Sequence, residues 1–148
     1  MVVTYLETVN IYLSGGMGNK PFEEQVGWRN ELIEKIKQYT DTFGKEFNFS
    51  FFNPPYYYSP VTENHKSEKE AMEFDLYKLR KADVVVVNFN VPKSIGTAME
   101  LMLAKEYNIP IIAFNYSNDI HPWLKTCCTR ICESLDEVVN HISNFYLN

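Results

Sequence analysis

Cysteine is scarce in this chain, with three residues, Cys127, Cys128 and Cys132, confined to one short stretch. Such a cluster builds no paired framework, and a zinc site on it would need a fourth ligand that nothing nearby supplies. Buried, reduced thiols, a cytoplasmic setting, no metal and no cofactor are therefore expected. Long apolar runs are missing too. No basic segment followed by an apolar one opens the sequence, so neither a membrane span nor a leader is expected. Positive charge is not in excess: 14 Lys and Arg against 19 Asp and Glu leave a net charge of −5. Without a basic cluster there is no electrostatic footprint for nucleic acid or an anionic membrane. Internal repeats, low-complexity tracts and a dividing linker are absent, so residues 1–148 are expected to form one domain with a real core.

Aromatic side chains are abundant, at 15%, and several crowd residues 47–58. Apolar periodicity then sets out the elements. Residues 9–14 read as a buried strand running into Gly15-Gly16-Met17-Gly18, followed by a helix carrying Trp28, Leu32, Ile33 and Ile36 at helical spacing, with Gly44 near its end. Residues 47–52 suggest a second strand, stopped by Asn53-Pro54-Pro55. A loop over 56–63 and a helix over 67–81 follow, the helix with Met72, Leu76 and Leu79 on one face. Within 82–89, Val84-Val85-Val86-Val87 is the β-branched run of a central parallel strand covered on both sides. A helix over 94–107 with Ser94 as N-cap, a strand over 110–115, and a loop over 115–126 with one helical turn come next. A short strand at 129–132 and a helix over 135–145 close the chain. This alternation predicts an α/β fold, a doubly wound parallel sheet of five strands in the flavodoxin-like order. Ligands of such sheets bind at the carboxyl ends of the strands.

Glu100 is the most informative residue, because its neighbours in Ala98-Met99-Glu100-Leu101-Met102-Leu103-Ala104 are almost all apolar. A helix apolar nearly all round is expected to be buried, and an unpaired carboxylate inside one is costly. Either it serves the site or it turns to solvent or a salt bridge along a narrow polar stripe. Gly96 and Thr97 share its face, and the missing side chain of Gly96 leaves room for a ligand. Asp75 sits mid-helix beside a buried face. It is either a solvated helix charge or a second carboxylate of the same crevice, since its helix ends just before the central strand. The Gly15–Gly16 loop offers backbone N–H groups to an anion or is a plain tight turn; it matches neither the dinucleotide fingerprint nor the P-loop. Tyr12 lies on the first strand near the crevice. Trp28 and Tyr56-Tyr57-Tyr58 either stack on a base or pack as core and surface aromatics. Arg29 meets a phosphate or pairs with a helix carboxylate, and His121 is a lone loop histidine before Pro122-Trp123. No Ser-His-Asp or Cys-His triad is apparent.

Taken together, these segments resemble the nucleoside 2-deoxyribosyltransferase superfamily. The similarity rests on Asn10-Ile11-Tyr12-Leu13-Ser14-Gly15-Gly16, on Asp75-Leu76 leading into Lys81-Ala82-Asp83-Val84-Val85-Val86, and above all on Ser94-Ile95-Gly96-Thr97-Ala98-Met99-Glu100-Leu101. Phe52-Asn53-Pro54 and Trp28-Arg29 are similar to its nucleoside 5′-monophosphate N-glycosidase branch. The resemblance runs from about residue 10 to residue 125. It implies Glu100 as nucleophile on the anomeric carbon, Asp75 as acid and base, and Tyr12 orienting Glu100. It also implies a glycosyl-enzyme resolved by water in a hydrolase or by a second base in a transferase.

Substrate contacts implied by the resemblance are Ser94, Gly96, Gly15, Gly16, Trp28, Arg29 and His121. The transferases usually carry an acidic residue where Ser94 stands, against the sugar 5′-hydroxyl, whereas the monophosphate N-glycosidases carry serine, facing a 5′-phosphate. A carboxylate repels phosphate, and a hydroxyl at a helix N-terminus donates to it. His121 aligns with a residue that reaches the 5′ end from a neighbouring subunit. The implied protein is a homodimer or larger homo-oligomer acting on a small nucleotide. The alternatives are a deoxyribosyltransferase and a non-catalytic nucleotide-binding module.

Overall fold

The computed structural model describes residues 8–18, 20–44, 48–58 and 65–147. Five parallel strands form one sheet, β1 (Thr8–Gly15), β2 (Asn48–Phe52), β3 (Val84–Asn88), β4 (Ile111–Phe114) and β5 (Arg130–Ile131), in the order β2-β1-β3-β4-β5. Helices α1 (Phe22–Thr42), α2 (Glu68–Arg80), α3 (Ile95–Glu106), α4 (Pro122–Cys127) and α5 (Leu135–Phe145) make the connections. The expected doubly wound fold and strand order are therefore present.

The valine run explains the layering. Successive strand side chains point to opposite faces. Val84 and Val86 join Ile11, Leu13, Leu32, Ile36, Val138 and Ile142 under α1 and α5. Val85 and Val87 join Tyr12, Leu79, Leu101 and Ala104 under α2 and α3. A strand covered on both faces has no polar side to present, hence four consecutive valines, all fully buried. The same alternation turns Tyr12 and Ser14, two residues apart on β1, toward α2 and α3.

Local chemistry sets the helix ends. Ser67, Ser94 and Ser134 each accept a backbone N–H three residues on, from Glu70, Thr97 and Glu137. Asn108 takes the left-handed conformation (φ 57°) just beyond α3, where Ile109 N–H closes on Ala104 C=O at 2.9 Å. Asn115 does likewise after β4 (φ 60°), and its Nδ2 donates to Asn88 Oδ1 at 2.8 Å, tying the ends of β3 and β4 together.

Three expectations change in the structure. α3 is not buried all round: Ile95, Met99 and Met102 are exposed, and only Thr97, Leu101 and Ala104 are buried. On α2, Leu79 is fully buried but Met72 is exposed, because the helix sits against the sheet by its last turns only. Part of the expected 56–63 loop is a 3-10 helix, Pro54–Tyr57, which the proline-fixed φ of Pro54 and Pro55 favours. Residues 59–63 of that loop and Phe47 of the expected second strand lie outside the described residues. No helix among the described residues is long and apolar enough to cross a membrane.

Candidate active site

A crevice of about 360 Å³ opens at the carboxyl ends of β1 and β3. One stripe of α2 lines it, Glu68, Ala71, Met72, Asp75 and Leu76, at the three- and four-residue spacing of a single helix face. From α3 come Gly96, Met99 and Glu100, on the same spacing, and Met17, Tyr58 and His65 complete the wall. A Cβ on Gly96 would meet nothing within 4 Å, so protein packing does not require glycine there. Its bare Cα leaves the helix surface beside Glu100 open to a ligand.

Glu100 is half-buried, and its Oε2 is sealed from solvent without a hydrogen bond of regular geometry. The buried hydroxyls of Tyr12 and Ser14, carried to this face by strand alternation, are likewise without a partner of regular geometry. The three polar groups therefore face one another, the two hydroxyls acting on the Glu100 carboxyl without reaching regular hydrogen-bond geometry, an arrangement uncommon among buried polar groups. Burial pushes the Glu100 carboxyl up to about 8, with the charge of Asp75 adding to the rise; Tyr12, Arg29 and Ser14 pull the other way. Burial raises Asp75 to about 6, against the opposing pull of Tyr58, Arg29 and His65. Two carboxyl groups that sense each other titrate as a pair. Between about 6 and about 8 the pair carries a single proton. Burial beside these carboxylates keeps the Tyr12 hydroxyl protonated, and so a donor.

The sequence-derived residues divide into those this crevice gathers and those it does not. Glu100, Asp75 and Gly96 line it, and Tyr12 stands directly behind Glu100. Ser94 caps α3 at the crevice end, its Oγ accepting both the N–H (3.3 Å) and the hydroxyl (2.9 Å) of Thr97. His121 does not line the crevice. Its Nδ1 accepts the Trp123 N–H at 3.2 Å and caps the short, exposed α4.

Trp28 and Arg29 are not crevice residues in this structure. Trp28 packs edge-on against Phe114, in the core beneath the opposite face. Arg29 is fully buried, and donates from Nε to Leu13 C=O and from Nη2 to Gly15 C=O, both at 3.3 Å, with Nη1 on Gln25 C=O. Three of its five N–H donors are therefore taken up by backbone carbonyls, two of them fastening the end of β1, and the side chain does not line the crevice. Burial lowers its pKa to about 10, opposed by the nearby Glu100, Tyr12 and Asp75, so it remains a cation at neutral pH. Its charge acts on the carboxylates through space. Gly15 and Gly16 are likewise explained by packing. A Cβ at Gly16 would lie 2.4 Å from Val91 Cβ, and one at Gly15 would lie 3.2 Å from the Trp28 ring. The loop is held further by Gln25, whose Nε2 donates to Met17 C=O (3.0 Å) and Lys20 C=O (2.8 Å).

Tyr58 was expected only as one of three tyrosines able to stack on a base or pack at the surface, and His65 was not among the expected site residues. The Tyr58 hydroxyl hydrogen-bonds Asp75 Oδ1 and lies 3.1 Å from Ala71 C=O, and the His65 ring meets the Tyr58 ring edge-on at 4.8 Å. His65 Nδ1 is buried without a partner. Nothing in the local sequence pattern separates Tyr58 from Tyr56 and Tyr57. Only the return of α2 over the end of β2 selects it.

No family model matches the chain, and no curated protein matches it. Solved structures do. The 2-deoxyribosyltransferase of Bacillus psychrosaccharolyticus superposes with a TM-score of 0.67 at 18% identity, over 89% of this chain and 91% of that one. The fold is that of the 2-deoxyribosyltransferases. A second such enzyme, from Leishmania mexicana, gives a TM-score of 0.63 at 13% identity, over 94% of this chain and 99% of its own. The CMP N-glycosidase of Clostridium botulinum gives 0.51 at 18% identity, over 92% and 99%. The deoxyribosyltransferase fold thus accounts for nearly the whole chain. At these identities the chemistry has to be argued from the crevice itself.

Proposed function

We propose that the chain cleaves the N-glycosidic bond of a nucleoside 5′-monophosphate, with Glu100 as nucleophile and Asp75 as acid and base. The observation that carries this reading is the meeting of Glu100 and Asp75 in one crevice, with the buried Tyr12 hydroxyl against Glu100. A Glu100 oxygen attacks the anomeric carbon while the carbon–nitrogen bond breaks. The bond's electron pair leaves with the base, which takes the Asp75 proton. Water then attacks the same carbon, Asp75 recovers a proton from it, and Glu100 is released as carboxylate. Tyr12 orients Glu100 by donating to it. The similarity in fold to 2-deoxyribosyltransferases and to a CMP N-glycosidase supports this reaction class.

Ser94 at the N-terminus of α3 favours a 5′-phosphate, which a hydroxyl and helix-end N–H groups receive and a carboxylate repels. One observation favours a second reading, transfer of 2-deoxyribose between bases. Among the described residues no Lys or Arg lines the crevice, and Glu68 does. A panel of ribo- and deoxyribonucleosides, with and without 5′-phosphate, separates the two. The first reading expects free base from monophosphates without any acceptor. Reaction of unphosphorylated deoxynucleosides alone, and only when a second base is supplied, would establish the transferase. Tight nucleotide binding with no turnover would establish a binding module instead.

A second copy of the chain belongs to this proposal. Ile95 and Trp123 are each 76% exposed, and Met99 and Met102 about half exposed, on neighbouring α3 and α4 beside the crevice mouth. Apolar side chains of this size grouped on one face mark a protein interface. Pairing there would also bring His121 of one copy near the other's crevice. Sedimentation at micromolar concentration is expected to give a dimer or larger species, and a monomer throughout would remove this part of the proposal.

A further inference from the structure

The Tyr58 hydroxyl has one proton and stands between two acceptors of different kinds. Ala71 C=O, at 3.1 Å, accepts only, whereas Asp75 Oδ1 accepts when ionised and donates when protonated. We infer that Tyr58 is a positioning residue that satisfies Asp75 in both of its protonation states, so that Asp75 exchanges its proton without moving. With Asp75 ionised, the phenol donates to the carboxylate. With Asp75 protonated, the acid donates to the phenol oxygen, and the phenol turns its own proton to Ala71. Ala71 and Asp75 are one helical turn apart on the stripe that faces the crevice, so both acceptors sit on a rigid element. The ring is fixed by His65 edge-on at 4.8 Å.

The groups facing Asp75 come from every neighbouring element. Arg29 on α1, Tyr12 on β1, Glu100 on α3, and Tyr58 and His65 from the segments preceding α2 all act on it or feel it. Among these, Tyr58 makes the direct hydrogen bond to the carboxylate. That bond lowers the pKa of Asp75, which burial has raised to about 6, and burial together with Asp75 keeps the phenol protonated. The inference rests on the reading of Asp75 as acid and base, but its test does not need turnover.

The experiment is a carboxylate NMR titration of Asp75, assigned with Asp75→Asn, in wild type and in Tyr58→Phe. Loss of the phenol is expected to move the midpoint up by about one pH unit. A 3,5-difluorotyrosine placed at position 58 keeps the ring and hydroxyl, is a stronger donor, and is expected to move the midpoint down. The acidic limb of base release should follow in each case, so that Tyr58→Phe loses activity about fivefold at pH 6 relative to pH 7.5. A midpoint that neither replacement moves would overturn the inference. If no nucleotide or nucleoside releases base from wild type, the proposed function fails, while the titration still decides the role of Tyr58.

Discussion

Replacing Glu100 by glutamine is expected to lower base release by at least about 10⁴-fold, leaving substrate affinity within a few-fold. The amide keeps the shape of the carboxyl and the reach of Tyr12, but it has no anionic oxygen to attack the anomeric carbon. In wild type the reactive form has a single proton on the Glu100–Asp75 pair, placed on Asp75 with Glu100 ionised. Because Glu100 is the weaker acid of the two, the proton rests mostly on Glu100, and the reactive arrangement is the minor one of the singly protonated pair. The rate should therefore follow a bell, falling below about 6 as both groups are protonated and above about 8 as both ionise. An Asp75→Asn variant loses the proton donor and should lose least activity with substrates whose base leaves readily without protonation. Initial rates across pH, with saturating substrate, measure all of this. A Glu100→Gln enzyme within tenfold of wild type would remove Glu100 from the chemistry.

The same substitution is expected to stabilise the folded protein, by an amount that grows as pH rises from about 4.5 to about 8. Glu100 titrates at about 8 in the fold against an ordinary value of 4.5, and Asp75 at about 6 against 3.8. Both folded values are raised, so the native state binds more protons than the unfolded chain over this range. Their contribution to stability is complete below the ordinary carboxylate values and is lost progressively as pH rises through 6 and then 8. For Glu100 the loss is on the order of a few kcal/mol by pH 8.5. Urea unfolding of wild type and Glu100→Gln should therefore nearly coincide at pH 4.5 and separate above pH 7, the variant being the more stable. Curves that separate equally at both pH values would show that Glu100 is an ordinary packed side chain.

A residue that destabilises the fold and stands at the crevice is also the one the sequence singled out. Glu100 was legible because a carboxylate flanked by six apolar positions, Ala98, Met99 and Leu101–Ala104, is a local contradiction, and such contradictions collect at functional sites. The sheet was legible because Val84–Val87 and the strand–helix alternation are set by burial on both faces. The closing helix, Leu135–Phe145, was bounded to the residue because Ser134 caps it and its apolar stripe is regular.

What the sequence did not yield depends on packing between distant segments. Arg29 lies three residues before Leu32 and seven before Ile36, on the buried face of α1. Its spacing therefore pointed to the core, but a cation is assigned to ligand or surface by default. Trp28 went inward for the same reason. Gly16 looked like an anion cradle, yet its cause is Val91, 75 residues away in the chain and 2.4 Å from where a Cβ would stand. The apolar composition of α3 suggested full burial. Instead half of that surface faces outward as Ile95, Met99 and Met102. Tyr58 could not be told from its neighbours, because its partner Asp75 is brought to it only by the fold.

The central claim is a covalent bond between Glu100 and the sugar, and it can be trapped. A 2-fluoro substituent on the sugar destabilises the oxocarbenium-like transition state of both steps, so that with a good leaving base the glycosyl-enzyme accumulates. Intact-mass analysis after incubation with such a 5′-monophosphate should show one fluorosugar phosphate added per chain. Fragmentation of the digested protein should then place it on Glu100, with no addition in Glu100→Gln. Release of base without any adduct, or an adduct on another residue, would contradict the account.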